Sequence, residues 1–408
     1  MRIVDVNELY SPTGGGVRTY IDRKMSILGD LGHELIVIAP GRTNRIDERP
    51  GGRIIYVEAP IMPLDANYGL FWDPAPVSAL LDELDPDVIE NCSPWRPAWF
   101  VGARHGRAVK SFFMHNDNLE AYAKTYLERF VSGDRVERAF AWYNRYMARF
   151  LSQYDAVLTN GPALAKRIAA RGLRVDAAMT LGIERQHFSP DLRDEQLRAS
   201  MLEQCGLPAD AHLLLGIGRH HREKRWPMVI DAVQRAGARM PVGMVLLGQG
   251  MHTKTLERHV ADSPHIRLFQ PVYDREQLAR IMASADAFIH GNSSEPFGLV
   301  AYEALASGLP MVVPDEGGAF EAAAPDYAEI YRSRDAASCA DAVVRLFERD
   351  QPRLRDAART AAATVRTDRD HAIELVDFYA GRIAAKRDAA RTGFGVQAFG
   401  VEGLSPAA

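Results

Sequence analysis

Short apolar runs that alternate with longer helical patterns constrain the fold of this chain more than any other feature. The first series of these runs predicts buried strands that are joined by helical segments. The first of these helices is predicted over about residues 17–31. The strands of this series are predicted at residues 3–6, 35–39, 53–57, 88–90, 110–114 and 156–159. Because parallel strands need long crossover connections, the alternation predicts a parallel sheet with helices on both faces.

A second series of the same kind begins near residue 210. Its helices are predicted from about residue 227, at 275–284 and at 298–307, and its strands at 212–217, 242–247, 266–269, 287–290 and 310–313. A polar junction is predicted near residues 182–194. The 408 residues are also the length of two ordinary domains. The chain is therefore predicted to be an α/β protein with two doubly wound, Rossmann-like domains in tandem.

Composition argues against several classes of protein. Lys and Arg total 49 and Asp and Glu total 53, so no excess of positive charge is present to bind a nucleic-acid backbone. The three cysteines, Cys92, Cys205 and Cys339, are too far apart for a familiar metal motif, and they favour a reducing cytoplasm. We expect no export signal and no membrane span, because the apolar runs are too short, so any membrane contact would be peripheral.

Four loops follow predicted strands, at the edge of a parallel sheet where ligands bind. The first contains Gly14, Gly15 and Gly16, whose contiguous glycines fit neither the dinucleotide fingerprint nor a Walker loop. The second contains Gly218, Arg219 and Lys224, whose two cations are suited to a phosphate. A tight turn and a solvated charge cluster are the alternative interpretations of these two loops.

The third loop leads into the predicted helix 298–307. Glu295 precedes this helix, and Glu303 lies on it. Backbone amides at a helix start can bind a diphosphate, and a carboxylate on the helix can bind ribose hydroxyls. The alternative is that two surface glutamates flank a helix start. The fourth loop, residues 314–318, contains two glycines that permit close approach to a ligand or form an ordinary turn.

These loops together resemble those of family 4 retaining glycosyltransferases, which have the GT-B fold. The resemblance rests on Glu295-x7-Glu303, on Gly218-Arg219-x4-Lys224 and on the first glycine loop. The residues 181–190 also resemble the linker of this family, and the resemblance extends to about residue 390. It implies two Rossmann-like domains that face a central cleft. The implied bounds are 1–185 plus 375–392 for the acceptor domain, 186–374 for the donor domain, and 393–408 for a flexible tail.

The resemblance also implies roles for individual residues. The implied catalytic group is His115, Arg219, Lys224 and Glu295, in which the two cations hold the diphosphate and His115 lies near the anomeric centre. The implied donor-binding residues are Gly15, Gly16, Gly218, Phe297, Gly298, Leu299, Val300 and Glu303, with Glu303 on the ribose. The implied donor is a UDP- or GDP-linked hexose, transferred with retention of configuration. No metal and no separate cofactor are expected, because the cations stabilise the leaving group.

The acceptor stays open among a lipid, a glycan and a small molecule. A nucleotide-sugar epimerase or hydrolase, and a binding protein without turnover, are the alternative functions. The predicted helix 136–151 carries an apolar stripe and, on another face, Arg138, Trp142, Arg145 and Arg149. This helix would either face the core with a solvated basic side or contact an anionic membrane surface at the inner face of the membrane.

Overall fold

The computed structural model describes residues 1–10, 16–62, 65–117, 119, 135, 138–261 and 263–392. Within this part the chain divides into two compact units. Unit 1 comprises residues 1–113 and 146–158 and the described residues from 372 onward, and unit 2 comprises residues 114–145 and 159–371. The domain bounds implied by the family resemblance stay a prediction.

The described residues of the first half of the chain form ten strands and five α-helices. The strands are β1 (Arg2–Val6), β2 (Glu34–Gly41), β3 (Arg45–Arg49), β4 (Gly52–Glu58), β5 (Ile61–Met62), β6 (Asp65–Gly69), β7 (Val88–Asn91), β8 (Val109–Met114), β9 (Ala156–Thr159) and β10 (Ala177–Ala178). The helices are α1 (Gly16–Asp30), α2 (Ala75–Leu84), α3 (Arg96–Gly102), α4 (Ala141–Leu151) and α5 (Pro162–Ala170).

Eight of these strands form one sheet, in the order β10-β9-β8-β7-β1-β2-β4-β3. Strand β1 pairs in parallel with both β2 and β7, whereas the edge strand β3 runs antiparallel to β4. The strands β5 and β6 form a separate antiparallel pair. The first series of predicted strands is confirmed, and β3, β10 and the β5–β6 pair are strands that were not predicted.

A buried polar group fixes two helices on this sheet. Lys24 of α1 forms an ion pair with Glu90 of β7, and both side chains are almost fully buried. The hydroxyl of Tyr379, on the last helix, donates to Glu90 Oε1 over 2.6 Å and lies 3.1 Å from Ser111 Oγ. Because an unpaired buried charge is costly, each partner requires the others, and the group specifies how these elements pack.

In the second half, the part of the chain that the structure describes contains six strands and nine α-helices. The strands are β11 (His212–Ile217), β12 (Val242–Leu247), β13 (Ile266–Phe269), β14 (Ala287–Ile289), β15 (Met311–Pro314) and β16 (Ala328–Tyr331). The helices are α6 (Glu195–Gln204), α7 (Trp226–Gly237), α8 (Thr253–Val260), α9 (Arg275–Ser284), α10 (Leu299–Ala306), α11 (Gly318–Glu321), α12 (Ala336–Glu348), α13 (Gln351–Ala362) and α14 (Asp368–Thr392).

The six strands form a wholly parallel sheet in the order β13-β12-β11-β14-β15-β16. Successive residues of a strand point to opposite faces, so Leu213 and Leu215 pack in one buried cluster and Leu214 packs in the other. Because both faces of the sheet are covered, its central strands are largely continuous apolar runs in the sequence, as in β12. This is why the second series of predicted strands matches the observed strands closely.

The helix α4 packs its apolar stripe against the core. Met147 and Phe150 are buried, and the ring of Phe150 lies 5.0 Å from that of Phe112. Trp142 and Arg145 are exposed. The core-facing interpretation is thus confirmed for Met147 and Phe150, whereas the helix begins at Ala141 and the predicted stripe residue Val136 lies outside the described residues. Contact of the exposed basic face with a membrane stays a prediction. In the described part of the chain, no helix has the length and apolar character needed to cross a membrane.

Candidate active site

The parallel sheet of unit 2 has a point at which the direction of winding reverses. Strands β11 and β14 are neighbours, and the chain leaves β11 towards β12 on one side and β14 towards β15 on the other. In open sheets of this kind, ligands bind in the crevice outside the carboxyl ends of the strands at such a point. The two loops that begin there are residues 218–225 and 290–298, the second and third loops singled out from the sequence.

The loop after β11 folds back over the start of helix α7. The indole Nε1 of Trp226 donates to the carbonyl oxygen of Arg219 over 3.1 Å. A short 3₁₀ turn over Arg222–Lys224 follows, and Arg225 then adopts a left-handed conformation with a φ of 51°. A non-glycine residue is uncommon in that region, and it turns the chain into the helix. The result is that Lys224 lies beside the loop after β14.

Lys224 and Glu295 meet at this edge of the sheet. The ammonium group of Lys224 forms an ion pair with Glu295 Oε2, and the two side chains are largely buried. The same oxygen accepts a hydrogen bond from Asn292 Nδ2 over 3.0 Å and lies 3.3 Å from His290 Nε2. The structure therefore brings two predicted catalytic residues into one polar group, which we call the Lys224–Glu295 group, together with His290 and Asn292.

The Lys224–Glu295 group holds its carboxylate in the charged form. Burial alone would raise the pKa of Glu295, but the positive charge of Lys224 and the nearby His290 outweigh it, so the pKa lies well below its usual range. Burial also lowers the pKa of His290, against the opposing effect of Glu295, so this imidazole is neutral at physiological pH. The site thus pairs one cation with one anion and carries no net charge of its own.

The start of helix α10 supplies free backbone amides. Gly298 precedes this helix with a φ of 84°, a region in which glycine is strongly favoured. The first intrahelical hydrogen bond runs from the Ala301 N–H to the Gly298 carbonyl, over 2.8 Å. The N–H groups of Leu299 and Val300 precede it, and the helix geometry leaves such groups available to an anion.

The fourth loop supports this helix start by close backbone contact. Gly318 N–H donates to the carbonyl oxygen of Glu295 over 2.8 Å. A Cβ atom on Gly318 would lie 2.1 Å from the carbonyl carbon of Phe297, which no real side chain permits. Because Gly318 has no side chain, the two loops can approach each other this closely. The ring of Phe297 also stacks on the ring of Tyr302, with ring centroids 4.5 Å apart.

Glu303 lies on α10, buried and paired with an arginine that the sequence analysis did not single out. Arg275, the first residue of α9, donates from Nη2 to Glu303 Oε1 over 2.8 Å, and this nitrogen is 3.3 Å from Glu184 Oε2. The guanidinium group of Arg275 also lies 4.9 Å from the ring centroid of Phe188. Arg275 follows a parallel strand and a short loop, but nothing local in the sequence marks its pairing with Glu303.

Arg219 is placed differently from Lys224. Its side chain is 71% exposed, and it forms a 3.2 Å ion pair with Glu223 on the same turn. Gly218, with a φ of 155°, is one residue before it, at the end of β11. The described contacts do not join Arg219 to the Lys224–Glu295 group, and its role on the diphosphate stays a prediction.

The remaining predicted residues lie apart from these contacts or outside the described residues. The carbonyl oxygen of His115 accepts a hydrogen bond from Asn160 Nδ2 over 3.0 Å. The neighbouring Asp117 forms a bidentate pair with Arg171, which is a structural use of that carboxylate. Gly16 is the first residue of α1, and Gly15 lies outside the described residues. The roles of His115, Gly15 and Gly16 stay predictions.

Among the described residues, no three His, Cys, Asp or Glu side chains come together in a way that could hold a metal ion. Lys224 and the backbone amides at the start of α10, at the carboxyl edge of the sheet, are suited to bind an anion.

Two sequence families match this chain. Residues 14–178 match the family described as "Glycosyltransferase Family 4", and residues 211–349 match "Glycosyl transferases group 1". A relative in Mycobacterium tuberculosis, a GDP-mannose-dependent alpha-(1-6)-phosphatidylinositol dimannoside mannosyltransferase, is 30% identical over 366 residues. The match covers 89% of this chain and 92% of the relative. The chain belongs to glycosyltransferase family 4.

Other comparisons agree with this assignment. A GDP-mannose-dependent alpha-mannosyltransferase of Mycolicibacterium smegmatis is 26% identical over 349 residues, which cover 83% of this chain and 86% of that relative. The solved sucrose-phosphate synthase of Thermosynechococcus elongatus has a TM-score of 0.74 at 18% identity, and covers 94% of this chain and 100% of its own. The predicted GT-B fold is confirmed, and this family 4 protein is a glycosyltransferase that uses a nucleotide sugar.

Proposed function

We propose that this glycosyltransferase transfers mannose from GDP-mannose to a hydroxyl group of a glycosylated lipid headgroup, with retention of the anomeric configuration. The observation that carries the donor is the 30% identity, over nearly the whole of both chains, to a GDP-mannose-dependent enzyme. The acceptor class follows the same relative, whose name specifies phosphatidylinositol dimannoside. The Lys224–Glu295 group and the start of α10 supply the chemistry.

The leaving group is the first requirement of the reaction. When the anomeric C–O bond breaks, its electron pair goes to the diphosphate, and positive charge develops on the sugar. Lys224 and the amides of Leu299 and Val300 stabilise the diphosphate as its charge develops. Arg219, which is exposed, adds a second cation to the diphosphate when the donor is bound.

The two glutamates position the two sugars of the donor. Glu295, held ionised beside Lys224, accepts hydrogen bonds from hydroxyl groups of the transferred mannose. Glu303 binds the ribose hydroxyls, and Arg275 orients its carboxylate. His115 lies near the anomeric centre in the proposed complex. The acceptor hydroxyl attacks the face from which the diphosphate departs, and its proton passes to a phosphate oxygen of the leaving group.

Metal independence is part of the same proposal. The diphosphate needs positive charge, and Lys224, Arg219 and the helix start provide it from the chain itself. We therefore propose that catalysis needs no divalent cation.

A thermal-shift panel of GDP, GDP-mannose, UDP and ADP, each with and without EDTA, tests the donor. A ligand that binds the native state alone raises its melting temperature. We expect GDP and GDP-mannose to raise the melting temperature, UDP and ADP to leave it unchanged, and EDTA to have no effect on the shift or on transfer. Mannose transfer to a mannosylated inositol lipid is then measured with the same preparation.

Three outcomes would contradict the proposal in different ways. A shift with UDP alone would assign another donor. Release of free mannose, or its conversion to another sugar, at the same rate with and without acceptor would identify a hydrolase or an epimerase. Transfer that EDTA abolishes and a divalent metal restores would mean that a metal stabilises the leaving group.

A further inference from the structure

A pocket in unit 1 is lined by three of the five tryptophans of the chain. Its volume is about 510 Å³, in the range of pockets that bind small molecules. We call it the tryptophan pocket. Nearly all of its lining surface is apolar, and the apolar side chains that line it are Met62, Leu70, Phe71, Trp72, Trp95 and Trp99. None of the roles proposed above uses these residues.

The polar groups inside the tryptophan pocket are already hydrogen-bonded within the chain. Both carboxylate oxygens of Glu8 accept hydrogen bonds from neighbouring residues, and this side chain is almost fully buried. Trp99 Nε1 donates to the hydroxyl of Tyr146 over 3.0 Å, and this hydroxyl donates to the Pro94 carbonyl over 2.7 Å. A polar ligand would lose its hydrogen bonds to water here without replacing them, so the interior favours an apolar ligand.

Two tryptophans of the pocket are also open to solvent. Trp72 is 65% exposed and Trp95 is 45% exposed, whereas the neighbouring Phe71 is buried. Large apolar side chains that are exposed together mark a site of interaction. Indole rings are favoured where hydrocarbon meets water, because one edge of the ring is polar and the rest is apolar. The mouth of the pocket is therefore suited to such a boundary.

Positive charge lies beside these exposed rings. Arg96 lines the pocket, and its guanidinium group is 5.3 Å from the ring centroid of Trp72. Arg149 is exposed on α4, one turn after Tyr146, which also lines the pocket. Neither arginine forms an ion pair with a described residue. An apolar pocket with cations at its mouth complements a ligand whose apolar chain ends in an anionic group.

The tryptophan pocket lies at the carboxyl edge of the first sheet. Glu8 follows β1, and Trp95 follows β7, the neighbour of β1. Open parallel sheets bind their ligands at this edge. The strand on the other side of β7 is β8, and it is followed directly by His115, the residue proposed to lie near the anomeric centre. This position favours the acceptor, rather than another lipid, as the ligand of the pocket.

We propose that the tryptophan pocket binds an acyl chain of the lipid acceptor, with the phosphate of the lipid headgroup beside Arg96 at the mouth. The inference rests on the proposed function, which it deepens by assigning a site to the apolar part of the acceptor. The enzyme then withdraws one acyl chain from the bilayer when it binds its acceptor. Each methylene group that enters the pocket should increase the affinity roughly fourfold, until the pocket is full.

Quenching of tryptophan fluorescence by a terminally brominated undecanoate tests this site in the full chain, without nucleotide and below micellar concentrations. Bromine quenches only those indole rings that lie close to it. We expect saturable quenching that octanoate, decanoate and dodecanoate reverse, each more tightly than the one before. Methyl α-D-mannopyranoside should not reverse it. Decyltrimethylammonium should bind more weakly than decanoate, because its cation meets Arg96.

Three variants locate the bound chain. Trp72→Ala should lower the affinity for decanoate at least about tenfold, and Trp99 stays as the reporter. Trp142→Ala is the matched control and should bind as the wild type does, because Trp142 is exposed on α4 and does not line the pocket. Arg96→Gln changes an exposed side chain, so it tests the site even where Trp72→Ala does not fold. It should weaken decanoate by about two- to fivefold and leave decanol unchanged.

Several outcomes would overturn the inference. The pocket does not bind an acyl chain if the brominated probe does not quench, if the mannoside displaces it, or if affinity does not rise with chain length. Equal affinities in Trp72→Ala and Trp142→Ala would place the chain elsewhere. A dimer in sedimentation that protects the indole rings from quenching would assign the pocket to a second copy of the chain.

These measurements involve no nucleotide sugar, so their failure is distinct from failure of the proposed function. Transfer assays then connect the pocket to the acceptor. Trp72→Ala should raise the KM for a diacylated mannosyl inositol lipid, and it should leave the KM values for GDP-mannose and for the deacylated acceptor unchanged. An equal rise for the acylated and the deacylated acceptor would contradict a role in binding the acyl chain.

Discussion

Lys224→Ala should lower kcat/KM for mannose transfer by at least about 10²-fold, the effect of removing one group that stabilises developing charge. Lys224 is the largely buried cation at the carboxyl edge of the second sheet, beside the amides of the α10 helix start. Without it the diphosphate loses charge stabilisation, and Glu295 loses the main interaction that keeps its pKa low. Steady-state kinetics with GDP-mannose measure the loss.

Two further variants make this result interpretable. Arg235→Ala removes an exposed cation from the far end of α7, and it should leave kcat/KM unchanged. Lys224→Arg keeps the charge but not the compact ammonium group, and it should retain more activity than Lys224→Ala. Melting temperatures establish that each variant is folded. A folded Lys224→Ala with the turnover of the wild type would remove Lys224 from the mechanism.

Asp286→Asn should lower the stability of unit 2 by about 3 kcal/mol, or about 10 °C in melting temperature. Asp286 immediately precedes β14, its side chain is 1% exposed, and it also accepts the backbone N–H of Leu213 over 2.9 Å. Three arginines donate to it, namely Arg193, Arg198 and Arg355. The neutral variant leaves these partly buried cations without their shared anion, which is why the loss is large.

The matched control for Asp286→Asn is Asp341→Asn. Asp341 pairs with Arg239, but it is 57% exposed, and exposed ion pairs contribute little. Its replacement should change the melting temperature by no more than about 2 °C. Equal losses in the two variants would mean that burial of Asp286 does not determine its contribution.

The contribution of Asp286 should also depend on pH. Burial alone would raise the pKa of Asp286, but the hydrogen bonds and charge of Arg198, with the charge of Arg355, lower it to about 2. Its unfolded-state pKa is about 3.9. A carboxylate whose pKa is lower in the folded state than in the unfolded state stabilises the fold at pH values above its unfolded-state pKa. This stabilisation is lost as the pH falls through its folded-state pKa. The difference between wild type and Asp286→Asn should therefore be constant near pH 7 and decrease from about pH 4 to pH 2.

The sequence predicted the strands that are continuous apolar runs and missed the exposed edge strand β3. Every residue of β12 is buried, and its apolar run marked it directly. The edge strand β3 is mostly exposed and polar, and only its antiparallel pairing with β4 makes it a strand. Strand β16, at an edge of the second sheet, was also missed, because its four residues include Glu329 and do not form a continuous apolar run.

The sequence predicted those site residues whose positions are determined by the ends of neighbouring strands. Lys224 and Glu295 follow neighbouring parallel strands, so the rule for carboxyl ends brings them to the same edge. His290 was assigned to the end of a strand, and its 3.3 Å approach to Glu295 depends on how the loop turns back. Arg275 meets Glu303 across 28 residues of chain, so this contact depends on the tertiary fold. Neither contact has a local signal in the sequence.

A crystal structure of the chain with GDP tests the central claim most directly. We predict diphosphate oxygens within about 3 Å of Lys224 Nζ and of the backbone N–H of Leu299 or Val300, with the carboxylate of Glu303 on the ribose hydroxyls. GDP bound with its diphosphate away from both Lys224 and the start of α10 would contradict the claim.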